Sequence, residues 1–311
     1  MAGIGIITNP HAKLNKRNPE RSKLLSYIAG SRGNLEITNN LEDLRKVAKR
    51  FSEQKIDTLA INGGDGTISR TITAFIHEYG NEKLPDIAVL RGGTVNVLAD
   101  NLNIKGSPEQ ILYRLVEAHS LPSYLGITEL STLKVNSHYG FIYGNATSYR
   151  FLEAFYMRKT NQLGVLLLLA RVILSSIYGG NLFRKTIISE PVTLESDNSA
   201  LISLVAPFLF CSTVEFLPLK IRMFSQAQKN PDKFQCLAIL VPPRKVPLRL
   251  PEFALNLSST KKHKTEFLTN KLVITADSPS AAAYTLDGEL FTPQDRNVEI
   301  SLGPRLRFII V

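Results

Sequence analysis

Hydrophobic and polar positions change period once along the chain, and that change organises it. From Gly3 to Asn96, short apolar runs alternate with stretches whose apolar residues recur every three or four positions. Gly3 to Thr8 is a buried-strand pattern stopped by Asn9-Pro10, and the polar segment from His11 to Pro19 reads as a loop carrying Lys13, Lys16 and Arg17. A helix is predicted over Glu20 to Ala29, then a strand over Leu35 to Thr38. Asn40 is placed as an N-cap, with Leu41, Leu44, Val47, Ala48 and Phe51 on one helical face. A strand ending at Ile61, a helix carrying Ile68, Ile72, Phe75, Ile76 and Tyr79, and a strand over Asp86 to Leu90 continue the alternation. Strand–helix alternation of this kind predicts a doubly wound parallel α/β sheet.

Ser107-Pro108-Glu109-Gln110 starts one more helix, with Ser as N-cap, Pro in the first turn and Gln at the third position. Leu121-Pro122 then reads as a domain boundary, giving an α/β domain over 1–122 and a β-rich domain over 123–311, with the last strand available to brace the first domain. Beyond it the period is two. Glu129 to Val135, Tyr139 to Tyr143, Thr186 to Ile188, Leu201 to Val205 and Cys236 to Val241 read as strands. So do Leu272 to Ala276, Ala283 to Leu286, Val298 to Leu302 and Leu306 to Ile310. Such a series predicts an antiparallel sheet or sandwich. One helical hairpin interrupts it, from Phe151 to Tyr178. Its second helix is apolar on nearly every face except at Arg171, which suits either a helix buried between domains or a wall of an acyl-chain groove. Lys261-Lys262-His263-Lys264 reads as a basic turn.

Against this frame, one stretch carries chemistry. Gly63-Gly64-Asp65-Gly66-Thr67 lies between a strand and a helix. Glycines let backbone approach a polyanion, the helix start offers free N–H groups, and Asp65 could hold a cation shared with phosphates. An ordinary Gly-rich turn explains the same residues when they are taken alone. The context favours the phosphate reading, because Asn9-Pro10, Gly63 to Thr67, Gly92 to Asn96 and Thr38 all fall at the carboxyl edge of the expected sheet, where ligands bind. Asp287-Gly288-Glu289 places two carboxylates about a glycine at a strand end, which fits either a hairpin turn or a functional site.

Composition refines this only slightly. Lys and Arg number 37 against 27 Asp and Glu, a net +10 that suits anionic partners such as nucleotide phosphates or an acidic membrane. Tryptophan is absent and no zinc-finger or Arg/Gly pattern appears, so nucleic acid is not expected. Two cysteines, Cys211 and Cys236, argue against a disulfide framework and for a reducing compartment. The most lipophilic segment falls short of the ~20 residues of a membrane span, and a cytoplasmic protein is expected.

Taken together, Asn9-Pro10, Gly63 to Thr67, Gly93-Thr94-Val95-Asn96 and Asp287-Gly288-Glu289 resemble the motifs of the diacylglycerol kinase-type lipid kinase family, in order and across almost the entire chain. The resemblance implies an α/β nucleotide-binding domain, a β-rich second domain, an ATP cleft between them, and γ-phosphoryl transfer to a lipid hydroxyl with Mg²⁺. It also implies nucleotide contacts from Asn9, Pro10, Lys13, Thr38, Gly63, Gly64, Gly66, Thr67, Gly93, Thr94 and Asn96. Asp65 is implied at the metal, and Glu289 with Asp287 as catalytic carboxylates, Glu289 being the base. Val97 stands where many members carry Asp, Lys13 where Gly is common, and Pro231-Asp232-Lys233 only hints at the usual Asp-Gly turn, so a structural metal there is not carried over. Expected partners are a lipid substrate and, peripherally, an anionic membrane surface. Homodimerisation is left open. An NAD kinase-like enzyme or a non-catalytic nucleotide- or lipid-binding protein are the alternatives. The first expects a downstream Asn-Glu pair, and the pair Asn81-Glu82 lies in the wrong domain.

Overall fold

The computed structural model describes residues 3–120, 126–157, 162–197, 199–254 and 262–311. It has two compact units, Met1–Leu130 with Pro304–Val311, and Ser131–Gly303. Leu121-Pro122, read as a boundary, and Lys261 of the basic turn lie outside the described residues.

In the first unit, β1 (Ile4–Thr8), β2 (Gly33–Ile37), β3 (Thr58–Asn62) and β4 (Asp86–Val89) stand in the order β2-β1-β3-β4. The end of the chain's last strand adds beside β4 through Phe308 and Ile87, and all these pairings are parallel. Every residue of β1 and β3 is buried, which is why both read as unbroken apolar runs. The helices are α1 (Lys13–Arg17), α2 (Arg21–Ala29), α3 (Leu41–Glu53), α4 (Asp65–Tyr79), α5 (Val97–Asn101) and α6 (Pro108–Ser120). Asn40 caps α3 by accepting from Asp43 N at 2.8 Å, and the helix buries Leu44, Val47, Ala48 and Phe51 while Leu41 stays exposed. Phe51 meets Phe75 of α4 edge-on at 6.4 Å. Ser107 and Gln110 close the expected capping box of α6 at 3.0 and 3.3 Å.

One expectation fails here: the presumed loop after Pro10 contains the short helix α1. Five residues do not hold a helix by propensity. Tertiary bonds hold this one, because buried Asn15 donates to the carbonyls of Asn9 (2.8 Å) and Asn62 (3.2 Å).

The second unit is antiparallel. Its strands are β5 (Gly126–Val135, which starts in the first unit), β6 (His138–Gly140), β7 (Ile142–Asn145), β8 (Glu190–Ser196), β9 (Ser199–Ala206) and β10 (Phe208–Ser212). They continue with β11 (Phe216–Leu217), β12 (Ile221–Arg222), β13 (Phe234–Ile239), β14 (Lys264–Thr269), β15 (Lys271–Ala276), β16 (Tyr284–Leu286), β17 (Glu289–Phe291) and β18 (Asn297–Ile310). The sheet β14-β13-β10-β7-β16-β17 and the run β18-β15-β8-β9 share one core, in which Tyr143, Phe234 and Tyr284 meet Leu194, Leu272 and Ile300. The parallel α/β sheet plus antiparallel β domain read from the pattern is therefore borne out.

Three local readings change. Thr186 ends α9 (Asn181–Thr186) instead of starting a strand. The two last predicted strands are one, β18, which passes Gly303-Pro304 and exchanges partner β15 for β4. Lys264 opens β14, and its ammonium sits 3.2 Å from Glu266 rather than in a solvated turn. The helical hairpin is present as α7 (Thr147–Met157) and α8 (Gln162–Ile177). α8 is two-faced: Leu168 and Val172 enter a core cluster with Phe183, Phe210 and Phe224, whereas Leu167 and Leu174 are exposed.

Candidate functional site

The order β2-β1-β3-β4 places a reversal between β1 and β3, since the chain moves outward to β2, returns to β3, and moves outward on the other side to β4. At such a switch point the loops after the two strands diverge and leave a crevice at their carboxyl ends. Asn9 follows β1 and Gly63 to Thr67 follow β3. The structure joins them directly: Asn9 Nδ2 donates to Thr67 Oγ1 at 2.8 Å and Asn9 N to the Asn62 carbonyl at 3.1 Å. Asn9 Oδ1 accepts from His11 N at 2.9 Å, which shapes the turn through Pro10 toward half-buried Lys13. Thr38, buried just past β2, donates its N–H to the Thr8 carbonyl at 3.0 Å.

Gly64 is the N-cap of α4, in extended backbone, and its carbonyl accepts from Ile68 N at 3.0 Å. Asp65, Gly66 and Thr67 therefore form the first turn, whose N–H groups have no carbonyl four residues back. Amides in such a first turn, together with the positive end of a helix, attract anions. The glycines serve a second purpose. A Cβ on Gly93 would collide with the Cα of Gly64, so the two glycine loops touch backbone to backbone. Asn96, in left-handed backbone, fixes the second loop by accepting from Gly93 N and donating to Gly93 O, both at 3.0 Å. Both ends of its amide are thereby engaged, and it shapes the loop that presents half-buried Thr94.

Asp65 Oδ1 accepts from Leu98 N at 3.1 Å, which ties the first glycine loop to the start of α5. Burial holds the Asp65 carboxyl above its ordinary value, the amides of Leu98 and Val97 oppose that rise, and the charge of Asp100 adds to it. Asp100 is itself paired with Arg91 at 2.9 Å, and Arg91 also donates to the Ile104 carbonyl at 2.7 Å. Val97 thus stands in a segment where Asp100, one turn later, supplies the second acidic charge. No group of three His, Cys, Asp or Glu side chains able to hold a metal occurs among the described residues. The residues fit a magnesium ion that arrives on nucleotide phosphates, with Asp65 as a single carboxylate, and not a protein-built metal cage.

Asp287 and Glu289 belong to the second unit. Asp287 and Gly288, with φ of 49° and 85°, form the two-residue turn between β16 and β17. The Asp287 carboxylate accepts from Phe141 N (3.0 Å) and Ile142 N (2.9 Å), while its own N–H donates to the Ile142 carbonyl at 3.0 Å. Tyr156 on α7 donates to the Gly288 carbonyl at 2.8 Å, and Tyr149 lies 3.2 Å from Thr292 Oγ1. The hairpin carrying half-buried Glu289 is therefore held on both sides, by β7 and by α7. Sequence reasoning missed Asn15, Asp100 and Tyr156, which act on segments remote in the chain, and Arg91, which ties its own loop to Asp100 and Ile104.

Comparison with known proteins now adds a class. Residues 4–126 match the family model of the diacylglycerol kinase catalytic domain, so the resemblance read from the motifs is borne out over that stretch, and the match supports a kinase. Over the full length, a diacylglycerol kinase structure from Bacillus anthracis str. Sterne superposes with a TM-score of 0.66 at 14% identity, covering 99% of this chain and 97% of that one. Yeast NADH kinase complexed with NADH superposes with a TM-score of 0.55 at 10% identity, covering 100% and 84%. At these identities the likeness is one of fold. No curated protein sequence matches the chain.

Proposed function

We propose that this protein is an ATP-dependent lipid kinase that transfers the γ-phosphoryl group to a hydroxyl of a diacylglycerol-like or sphingoid lipid. The observation that carries the reading is the Asn9–Thr67 link, which joins the loops after β1 and β3 at the switch point of a parallel sheet. The first-turn amides of α4 would receive the phosphates, with Thr38, Lys13 and Thr94 around them, and Asp65 would hold magnesium through those phosphates. Phosphoryl transfer needs mainly positioning and charge neutralisation, which fixed amides supply without reorganising. Glu289 is proposed as the base that takes the proton of the acceptor hydroxyl, a role worth about 10²–10⁴-fold. Asp287 is proposed as a positioning residue, because its carboxylate is engaged by the amides of Phe141 and Ile142.

Membrane attachment is proposed through α8. Its outward face shows Leu167 and Leu174, with Tyr178 just beyond the helix, and Arg171, Arg184 and Lys185 are also exposed. Apolar side chains rimmed by cations suit the surface of an anionic bilayer. Among the described residues no helix is long and apolar enough to cross a membrane.

The test is incubation of the protein with Mg²⁺ and γ-labelled ATP, once with a total lipid extract and once with NAD. Label in a chloroform-soluble product supports the reading. Label in NADP assigns an NAD kinase-like enzyme, and label in neither leaves a binding protein. Glu289→Gln should lower kcat by about 10²-fold or more, and full retained turnover would remove Glu289 as the base. Flotation with anionic vesicles should weaken with salt and with Leu174→Asp.

A further inference from the structure

The residue that α1 buries is the polar Asn15, while its neighbour Leu14 stays half-buried. A helix that only covered a core would do the reverse. The Asn15 amide is instead fully engaged. Its Nδ2 donates to the carbonyls of Asn9 (2.8 Å) and Asn62 (3.2 Å), and its Oδ1 accepts from Asn62 Nδ2 (3.2 Å) and Arg21 Nη1 (3.4 Å). The parallel pairing of β1 with β3 ends at Thr8 and Asn62. Asn9 and Asn62 are therefore the roots from which the two loops of the switch point diverge. One buried amide holds both roots at a fixed separation. The clasp also reaches the second glycine loop, because a Cβ on Gly92 would collide with Asn62 Oδ1.

Behind the clasp lies an ion pair. Arg21 opens α2, and its Nε lies 2.6 Å from Oε1 of Glu109 in the first turn of α6. The two side chains are 13% and 19% exposed, so salt screens them far less than a surface pair. Burial by itself raises the Glu109 carboxyl. Donation from Arg21, from its own amide and from Ser107 outweighs burial and holds it below its ordinary value. The ionised Glu109 fixes the guanidinium, and the guanidinium fixes which end of the Asn15 amide faces it. Turned over, that amide would set its NH2 against two donors and its oxygen against two carbonyls. A buried ion pair is a weak source of net stability. Orientation of Asn15 is the use that this geometry supplies.

We propose that Asn15, Arg21 and Glu109 are positioning residues for nucleotide binding, which hold the loops after β1 and β3 at the separation the phosphates require. The inference rests on the kinase reading above. Without the clasp the loops would spread over several separations, and only the closed fraction would bind. The test is calorimetric titration of Mg·ATP into the full-length protein, with circular dichroism on each variant. Asn15→Ala should weaken Mg·ATP at least about tenfold, and Glu109→Gln at least about threefold. In phosphoryl transfer to the lipid extract, the KM for ATP should carry the loss and kcat should change little. The two losses should not add. In an Asn15→Ala chain, Glu109→Gln should shift affinity by less than about twofold, since the amide it orients is gone. Val47→Ala, which opens a cavity under α3, should lower Tm and leave affinity unchanged, separating positioning from general loosening. A wild-type protein that binds no Mg·ATP would remove the kinase reading and this inference together. Three outcomes with a binding wild type would overturn the inference alone: Asn15→Ala as tight as wild type, additive losses in the double variant, or an equal loss in Val47→Ala. Should Asn15→Ala unfold, Glu109→Gln decides by itself, and unchanged affinity there overturns the inference.

Discussion

Two Gly-Asp turns, one in each unit, look alike in sequence and solve different physical problems. Around Asp65 no glycine has positive φ. Glycine is needed there because Gly64 and Gly93 touch, and a Cβ would separate the two loops of the crevice. Around Asp287 the requirement is conformational, since both residues of a tight hairpin turn sit at positive φ. The aspartates share a task. Each accepts backbone amides from a distant segment, Leu98 in one case and Phe141 with Ile142 in the other. They differ in what remains. Asp65 sits in the first turn of a helix and bears an unfavourable desolvation, whereas Asp287 holds a strand so that its neighbour Glu289 is placed.

That contrast can be broken by substitution. Asp65→Ala should lower phosphoryl transfer by about 10²–10³-fold while the chain stays folded by circular dichroism. Asp287→Ala should act first on stability, costing about 2–4 kcal/mol in urea unfolding, because two strand amides lose their acceptor. Activity would fall with it. If Asp287→Ala unfolded like wild type, its positioning role would be lost. Gly93→Ala should cost about 1–3 kcal/mol, since the obstructing atom is backbone and cannot swing away. Gly288→Ala should cost about 1 kcal/mol, the price of a left-handed Cβ without a collision. Chemical denaturation of the pair ranks the two requirements directly.

The smallest effect concerns charge. Burial raises the Asp65 pKa, so ionised Asp65 destabilises the folded state, and Asp65→Asn should raise Tm by about 2–5 °C at neutral pH. The sign fixes the window. Below the ordinary value of 3.8 the carboxyl is protonated folded or unfolded and the penalty vanishes. The penalty grows as pH rises above that value and levels off beyond the raised folded pKa. Melting curves of wild type and Asp65→Asn should therefore converge in acid. A gap independent of pH would show that desolvation of Asp65 is not its cause.

Much of this was legible along the chain. The N-cap at Asn40, the capping box at Ser107, the apolar faces of α3 and α4 and the strands before each glycine loop are local facts, written in spacing and side-chain type. The four motifs were legible for the same reason, since each needs particular residues at adjacent positions. Less legible were segments held by partners far away. α1 exists because Asn15 reaches Asn9 and Asn62, β18 runs through Gly303-Pro304 because its neighbours change there, and Lys264 leaves a basic turn to pair with Glu266.

The sequence by itself determined the strand–helix alternation, the change of period beyond Leu121, and which residues could meet a phosphate. Those depend on backbone preference and periodicity, which act over a few residues. Only the tertiary structure decided the strand order, and with it the switch point between β1 and β3 that turns two loops into one site. It alone decided that Gly64 meets Gly93, that Asn9 meets Thr67, that the Asp287 carboxylate goes to β7, and that β9 is left as an edge. These are contacts between residues distant in the chain, fixed by packing and by the pairing of backbone groups rather than by any local signal.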